Sequence, residues 1–161
     1  MMNSWITTVG TSPFAVINTI WAACKSNEYI PDNVWLIINE QIESHNVDAV
    51  KDWISEILIA YDVKKPSIND IKIDETDLDG LKDVFVSNIQ RLEQMGEVAV
   101  DITPGRKYMS AIAMQSGLSA GANKIYYLFL SDPQYQDMAF PLIPASKQRL
   151  FEMISGHKGR V

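Results

Sequence analysis

Hydroxyls, glycines and cations gather in two short stretches of this chain. The first is Gly10-Thr11-Ser12-Pro13. The second is Asp101-Ile102-Thr103-Pro104-Gly105-Arg106-Lys107-Tyr108-Met109-Ser110. The hydroxyls of Thr11, Ser12 and Thr103 can donate to phosphate oxygens. Gly105 allows close approach of a ligand to the backbone. Arg106 offers a planar fork and Lys107 a point charge, and both suit phosphate. Asp101 can orient Thr103 or the loop amides. The chemistry of the set is the binding of an anion, most simply a phosphate. Each residue also has a plainer use. Ser12 is a good helix cap, Asp101 can shape a loop, and Arg106 and Lys107 can be surface charges.

These stretches need elements to place them. Each follows an apolar run and precedes a helical pattern, so each sits where a buried strand ends and a helix begins. Such a joint presents free backbone N–H groups and the positive end of a helix dipole. Trp5 to Val9 reads as the first strand, and Pro13 fits the first turn of a helix. Phe14, Ile17, Ile20, Trp21 and Cys24 recur at helical spacing to about Ser26. Val34 to Ile38 is a continuous apolar run, as in a strand buried on both faces, and ends at Asn39. A helix from about Asn46 to Tyr61 has Val50, Trp53, Ile54, Ile57 and Leu58 as its inner face. Ile68 to Ile73 alternates, as a half-buried or edge strand does. A helix from Asp77 to Met95, begun by acidic residues and stopped by Gly96, precedes a fourth strand, Glu97 to Ile102. A fourth helix starts at Lys107 and ends in small residues near Ala120. Ile125 to Leu130 is the fifth strand. Ala139 to Ile143 is expected as a sixth, returning strand, and Ser146 to Ile154 as a short terminal helix before a basic tail.

Four strand–helix alternations mean a mostly parallel sheet with helices on both faces. Right-handed crossovers favour a Rossmann-like α/β fold with strand order 3-2-1-4-5 and an antiparallel returning strand. In that order the first and fourth strands are neighbours, and the chain reverses direction between them. Their ends form the switch-point crevice where ligands bind. The topology therefore brings Gly10, Thr11 and Ser12 beside Thr103, Gly105, Arg106 and Lys107. Asn39, ending the second strand, can line the same crevice.

Several chemistries are poorly served. No G-x-G-x-x-G follows the first strand, and no Walker lysine motif or G-x-S-x-G elbow is present. One cysteine and two histidines, His45 and His157, lack metal-ligand spacing. No cofactor is expected. Cys24 reads as a buried small hydrophobe and the histidines as solvated. A formal net charge of −6 argues against binding duplex nucleic acid. No apolar run reaches the 18 or so residues that span a bilayer, and the start lacks the pattern of a signal peptide. A cytoplasmic location is the default, and residues 1–161 read as one domain.

The two stretches carry a resemblance. Gly10-Thr11-Ser12-Pro13, together with Asp101-x-Thr103-Pro104-Gly105-x-Lys107-x-Met109-Ser110, resembles the CARF domain, the CRISPR-associated Rossmann fold. The resemblance implies a homodimer that binds cyclic oligoadenylate, the tetra- or hexa-adenylate, across its two-fold axis. No HEPN-type R-x-x-x-x-H follows, so the chain resembles a CARF domain standing alone. Such proteins are often ring nucleases, which cut the messenger without a metal. The resemblance then implies Lys107 and Ser12 as catalytic residues. Gly10, Thr11, Asn39, Asp101, Thr103, Gly105 and Arg106 would join them in binding. A sensor or sponge that binds without cutting uses the same residues, and an unrelated phosphate-binding protein is a third reading. The small residues of the fourth helix, Ser110 to Ala120, suit either packing on a second copy or packing on the sheet.

Overall fold

The computed structural model describes residues 1–155. Six strands form one sheet: β1 (Ser4–Val9), β2 (Asn33–Asn39), β3 (Ser67–Ile73), β4 (Val98–Asp101), β5 (Lys124–Leu130) and β6 (Gln148–Glu152). Their order is β3-β2-β1-β4-β5-β6, parallel throughout except for the antiparallel β5–β6 pair. Four helices connect them: α1 (Pro13–Lys25), α2 (Ser44–Ala60), α3 (Leu78–Glu93) and α4 (Lys107–Ala120). This is the α/β order that the sequence predicts, with β1 and β4 adjacent.

Successive side chains of β1 serve opposite cores, as strand geometry requires. Trp5 packs with Val16, Ile20, Ile54, Leu58 and Tyr126 on the face covered by α1 and α2. Its ring stacks on Tyr126 at 5.4 Å. Ile6 packs with Phe85, Ile89, Val100, Met109 and Ile125 on the face covered by α3 and α4. All of β1 is buried, including Ser4, Thr7 and Thr8. Such polar residues in a central strand need partners, and two of these find theirs in the site described below. The alternating β3 is an edge strand, mostly half-buried or exposed. Asp77 caps α3, accepting from Gly80 N–H at 2.9 Å.

Three expectations are corrected. Ala139–Ile143 is not a strand; Phe140–Leu142 forms a single 3₁₀ turn. Pro141 lies within that turn and Pro144 just beyond it, and proline cannot donate to a ladder. The region expected as a terminal helix, Ser146 to Ile154, instead contains the returning strand β6. Gln, Arg, Leu and Glu favour helices, but the open edge of β5 needs a partner, and tertiary pairing overrides propensity. In β6, Leu150 packs on the core beneath α1 and α2. Arg149 lies over the Phe151 ring at 5.0 Å, and Phe129 meets that ring edge-on at 6.3 Å. The third correction is Trp53, which is 46% exposed. It flanks the inner stripe of α2 and meets Trp21 of α1 at 6.3 Å along the outer seam.

The small residues of α4 face inward. Ala113, Ser116, Gly117 and Ala120 are buried, and Gly117 packs against Ile125 and Val100. That stripe is filled by the sheet of its own chain. Cys24 is buried, and desolvation pushes its thiol up to about 12. His45 is exposed in the first turn of α2, whereas His157 and most of the basic tail lie outside the described residues. Among the described residues, no helix is long and apolar enough to cross a membrane.

Candidate functional site

The site is built from the paired ends of β1 and β4. Their register sets Thr7 opposite Asp101. Asp101 is buried, and its two oxygens are used differently. One accepts from the Thr7 hydroxyl at 3.1 Å and the other from Thr103 N–H at 2.9 Å. Burial outweighs these bonds and pushes its carboxyl up to about 7. Asp101 thus turns the chain at the end of β4, the loop-structuring role open to it in the sequence.

Thr103 is fixed next. Its hydroxyl oxygen accepts from Leu128 N–H of β5 at 2.9 Å. A hydroxyl that accepts keeps its own hydrogen to donate, and that hydrogen faces the Asp101 carboxyl, so Thr103 is held from both sides. Replacing it with valine removes the acceptor for Leu128. We expect a loss of about 1 kcal/mol, read as a lower denaturation midpoint, with faster hydrogen exchange at the Leu128 amide. An unchanged amide would contradict the bond.

The two loops then touch. Thr8 Oγ1 donates to the Pro104 carbonyl at 3.0 Å. Gly105 has φ +89°, and a Cβ there would lie 2.7 Å from Thr8 Oγ1. A Cβ on Gly10 would lie 3.2 Å from the Gly105 nitrogen. Glycine is needed at Gly105 for its left-handed backbone, and at both positions for close approach.

Above this joint lies a crevice with two lobes. One, of about 480 Å³, is lined by Gly10, Asn39, Ile42, Glu75, Gly105 and Arg106, among others. The other, of about 500 Å³, lies toward β5 and includes Phe14, Asn18, Leu128, Tyr135, Asp137 and Gln148. Thr11, Ser12 and Thr103 line both, so they form the shared ridge. Ser12 holds the N-cap position of α1, yet its hydroxyl makes no capping bond. Arg106 holds the same position on α4, also without a side-chain cap. Neither helix start therefore has a side-chain cap, and in α1, which opens on Pro13, the first N–H group is that of Phe14.

Most of the expected residues are brought together here: Gly10, Thr11, Ser12, Asn39, Thr103, Gly105 and Arg106 all line the crevice. Asp101 lies beneath it. Lys107, the first residue of α4, is exposed and lines neither lobe. The fork of Arg106 is already engaged, Nε at 3.2 Å and Nη2 at 3.3 Å from the two oxygens of Glu75.

Glu75 escapes the sequence reading because it stands in the acidic run Asp74-Glu75-Thr76-Asp77, which reads as charge favouring a helix start. Asn18 escapes it too. Buried on α1, it donates to Met138 O at 2.8 Å and accepts from Phe140 N–H at 2.9 Å. It thereby holds the segment that walls the β5-side lobe. Its signal was an amide set among the apolar residues Val16, Ile17 and Ile20 of α1.

No known family's sequence profile matches the chain, and no curated protein does. Solved structures do. Csm6 of Enterococcus italicus, bound to cyclic hexa-2′-fluoro-hexa-dAMP, superposes with TM-score 0.63 at 18% identity, covering 93% of this chain and 42% of that one. Protein VC1899 from Vibrio cholerae gives TM-score 0.63 at 12% identity, covering 98% and 35%. A type III CRISPR defence DNA nuclease activated by cyclic oligoadenylate gives 0.54 at 13%, covering 92% and 19%. The chain spans less than half the length of each. These likenesses establish the fold as the Rossmann-like fold that the resemblance to CARF domains implies.

Proposed function

We propose that this protein binds cyclic oligoadenylate in the crevice at the ends of β1 and β4, and that two copies close around one ring. The observation that carries the reading is the ridge of Thr11, Ser12 and Thr103 between two uncapped helix starts. It supplies neutral donors where a phosphodiester needs them. The fold likeness supports it, since one counterpart is solved with a cyclic hexanucleotide bound. A two-fold ligand suits an isologous dimer, in which each copy presents the same crevice. The whole chain of 161 residues serves this purpose as one domain, in the cytoplasm, within type III CRISPR antiviral signalling.

Cleavage follows from holding the ring. The 2′-hydroxyl of one ribose gives up its proton to water as its oxygen attacks its own 3′ phosphorus, the bond to the 5′-oxygen breaks and that oxygen takes up a proton from water, and a 2′,3′-cyclic phosphate results. The protein must hold the attacking and leaving oxygens in line and stabilise the added charge. Ser12 positions the phosphate or ribose, and Lys107 supplies charge from the start of α4. Gly10, Thr11, Asn39, Gly105 and Arg106 complete the binding set, and Asp101 holds Thr103. No metal or other cofactor is required. A slow reaction suits this sparse set, and cyclic tetra-adenylate is the preferred ring.

A second reading is a sensor or sponge that binds the ring intact and signals through another protein. The placement of Lys107 outside the crevice lining favours it. Titration calorimetry with cyclic tetra-adenylate tests what both readings share. We expect one ring per two chains, and about tenfold weaker binding by Ser12→Ala. One ring per chain, or no effect of Ser12→Ala, would contradict the shared site.

A further inference from the structure

We propose that Glu75 sets the specificity of the crevice by charge, admitting phosphodiesters and rejecting phosphomonoesters. This deepens the proposed function and rests on it. Arg106, Glu75 and Asp137 are the charged side chains among the described residues lining the two lobes. The cation is held on both oxygens of Glu75. An arriving phosphate therefore meets a neutralised arginine and the edge of a carboxylate.

The backbone that carries Glu75 is held in place. The Tyr108 hydroxyl donates to its carbonyl at 2.7 Å. Asp74, the preceding residue, accepts from both the backbone N–H and the hydroxyl of Thr76, at 2.9 and 2.7 Å. The Glu75 side chain is 20% exposed, against 67% for Arg106. The carboxylate is thus the more buried member of the pair, on a backbone held in place.

The remaining donors of the ridge are neutral hydroxyls and backbone N–H groups. They can satisfy a diester, which carries one charge. A monoester carries up to two at neutral pH, and its second charge would sit uncompensated beside Glu75. The free lone pairs of Glu75 would accept from a ribose hydroxyl or a base amine, groups that a nucleotide diester brings with it. Rejection of one class is as much a part of specificity as attraction of the other.

The test is a matched pair of probes, adenosine 5′-phosphate and the dinucleoside diester adenylyl-adenosine, titrated into wild type, Glu75→Gln and Glu75→Ala. Glu75→Gln keeps the shape and removes the charge. We expect it to raise the monoester's affinity relative to the diester's by on the order of tenfold, and Glu75→Ala to move the ratio the same way. An equal gain for both probes would mean that Glu75 only neutralises Arg106, and would overturn the proposal. So would an unchanged ratio, or no binding of either probe by any form. Cyclic tetra-adenylate is titrated alongside. If wild type ignores the ring while the probe ratio shifts, the proposed function fails and the charge filter stands.

Discussion

Valine in place of Gly105 is expected to unfold the joint between β1 and β4. The residue sits at φ +89°, a region costing an L-residue about 1–2 kcal/mol. Its Cβ alone would lie 2.7 Å from Thr8 Oγ1, which is held by the Pro104 carbonyl. Neither side yields easily, because Thr8 is buried in the central strand. Overpacking of this kind adds about 1–3 kcal/mol. The sum is about 3 kcal/mol, or on the order of 10 °C in the thermal midpoint for a chain of this size. Ligand binding should fall at least a hundredfold in whatever protein remains folded, because the loop that displays Thr103 and Arg106 must move. Calorimetric melting and titration of the same sample check both. A variant that melts like wild type would show that the loops do not touch as described.

The second large effect is the pH dependence of stability through Asp101. Its carboxyl lies at about 7 in the folded protein against 3.8 as an ordinary aspartate. A folded pKa above the unfolded one means that the folded state holds the proton longer. The stabilisation is complete below about pH 4 and is lost as pH rises toward 7. The cause is burial of charge, only partly offset by Thr103 and Thr7.

Asp101→Asn should remove this slope. Its amide oxygen can accept from Thr103 N–H. Its amide nitrogen can donate to Thr7, whose hydroxyl also reaches the Thr8 carbonyl at 3.3 Å. We therefore expect the variant to match wild type near pH 4 and to exceed it near neutrality by on the order of 3 kcal/mol. Denaturant titrations of both proteins across that range give the difference curve directly. A flat difference would mean that Asp101 is charged and fully compensated. Asp101→Ala should fall below wild type near pH 4, since it strands Thr103 N–H and the Thr7 hydroxyl.

The part of this molecule that was legible in the sequence is the part set by local pattern and by topology. Val34 to Ile38 and Ile68 to Ile73 announced a central and an edge strand. The βα alternation and right-handed crossovers then favoured an order in which β1 and β4 are neighbours, and with them Gly10 and Gly105. What was not legible depends on partners distant in sequence. Gln148 to Glu152 becomes a strand because β5 has an open edge, and nothing within those residues says so. Glu75 lines the crevice and pairs there with Arg106, 31 residues away, a pairing no local pattern announces. Arg106 and Lys107 look equivalent as adjacent cations. Arg106 is the extended residue before α4 and Lys107 the first residue within it, and of the two only Arg106 lines the crevice.

The central claim is tested most directly by incubating the purified protein with cyclic tetra-adenylate and cyclic hexa-adenylate in EDTA and following the products by chromatography. We expect linear products ending in 2′,3′-cyclic phosphate, formed slowly, faster from the tetra-adenylate, and reduced at least a hundredfold by Lys107→Ala. An intact ring held tightly would leave the crevice as a sensor's binding site and remove the catalytic roles of Lys107 and Ser12. A ring neither bound nor cut would contradict the account.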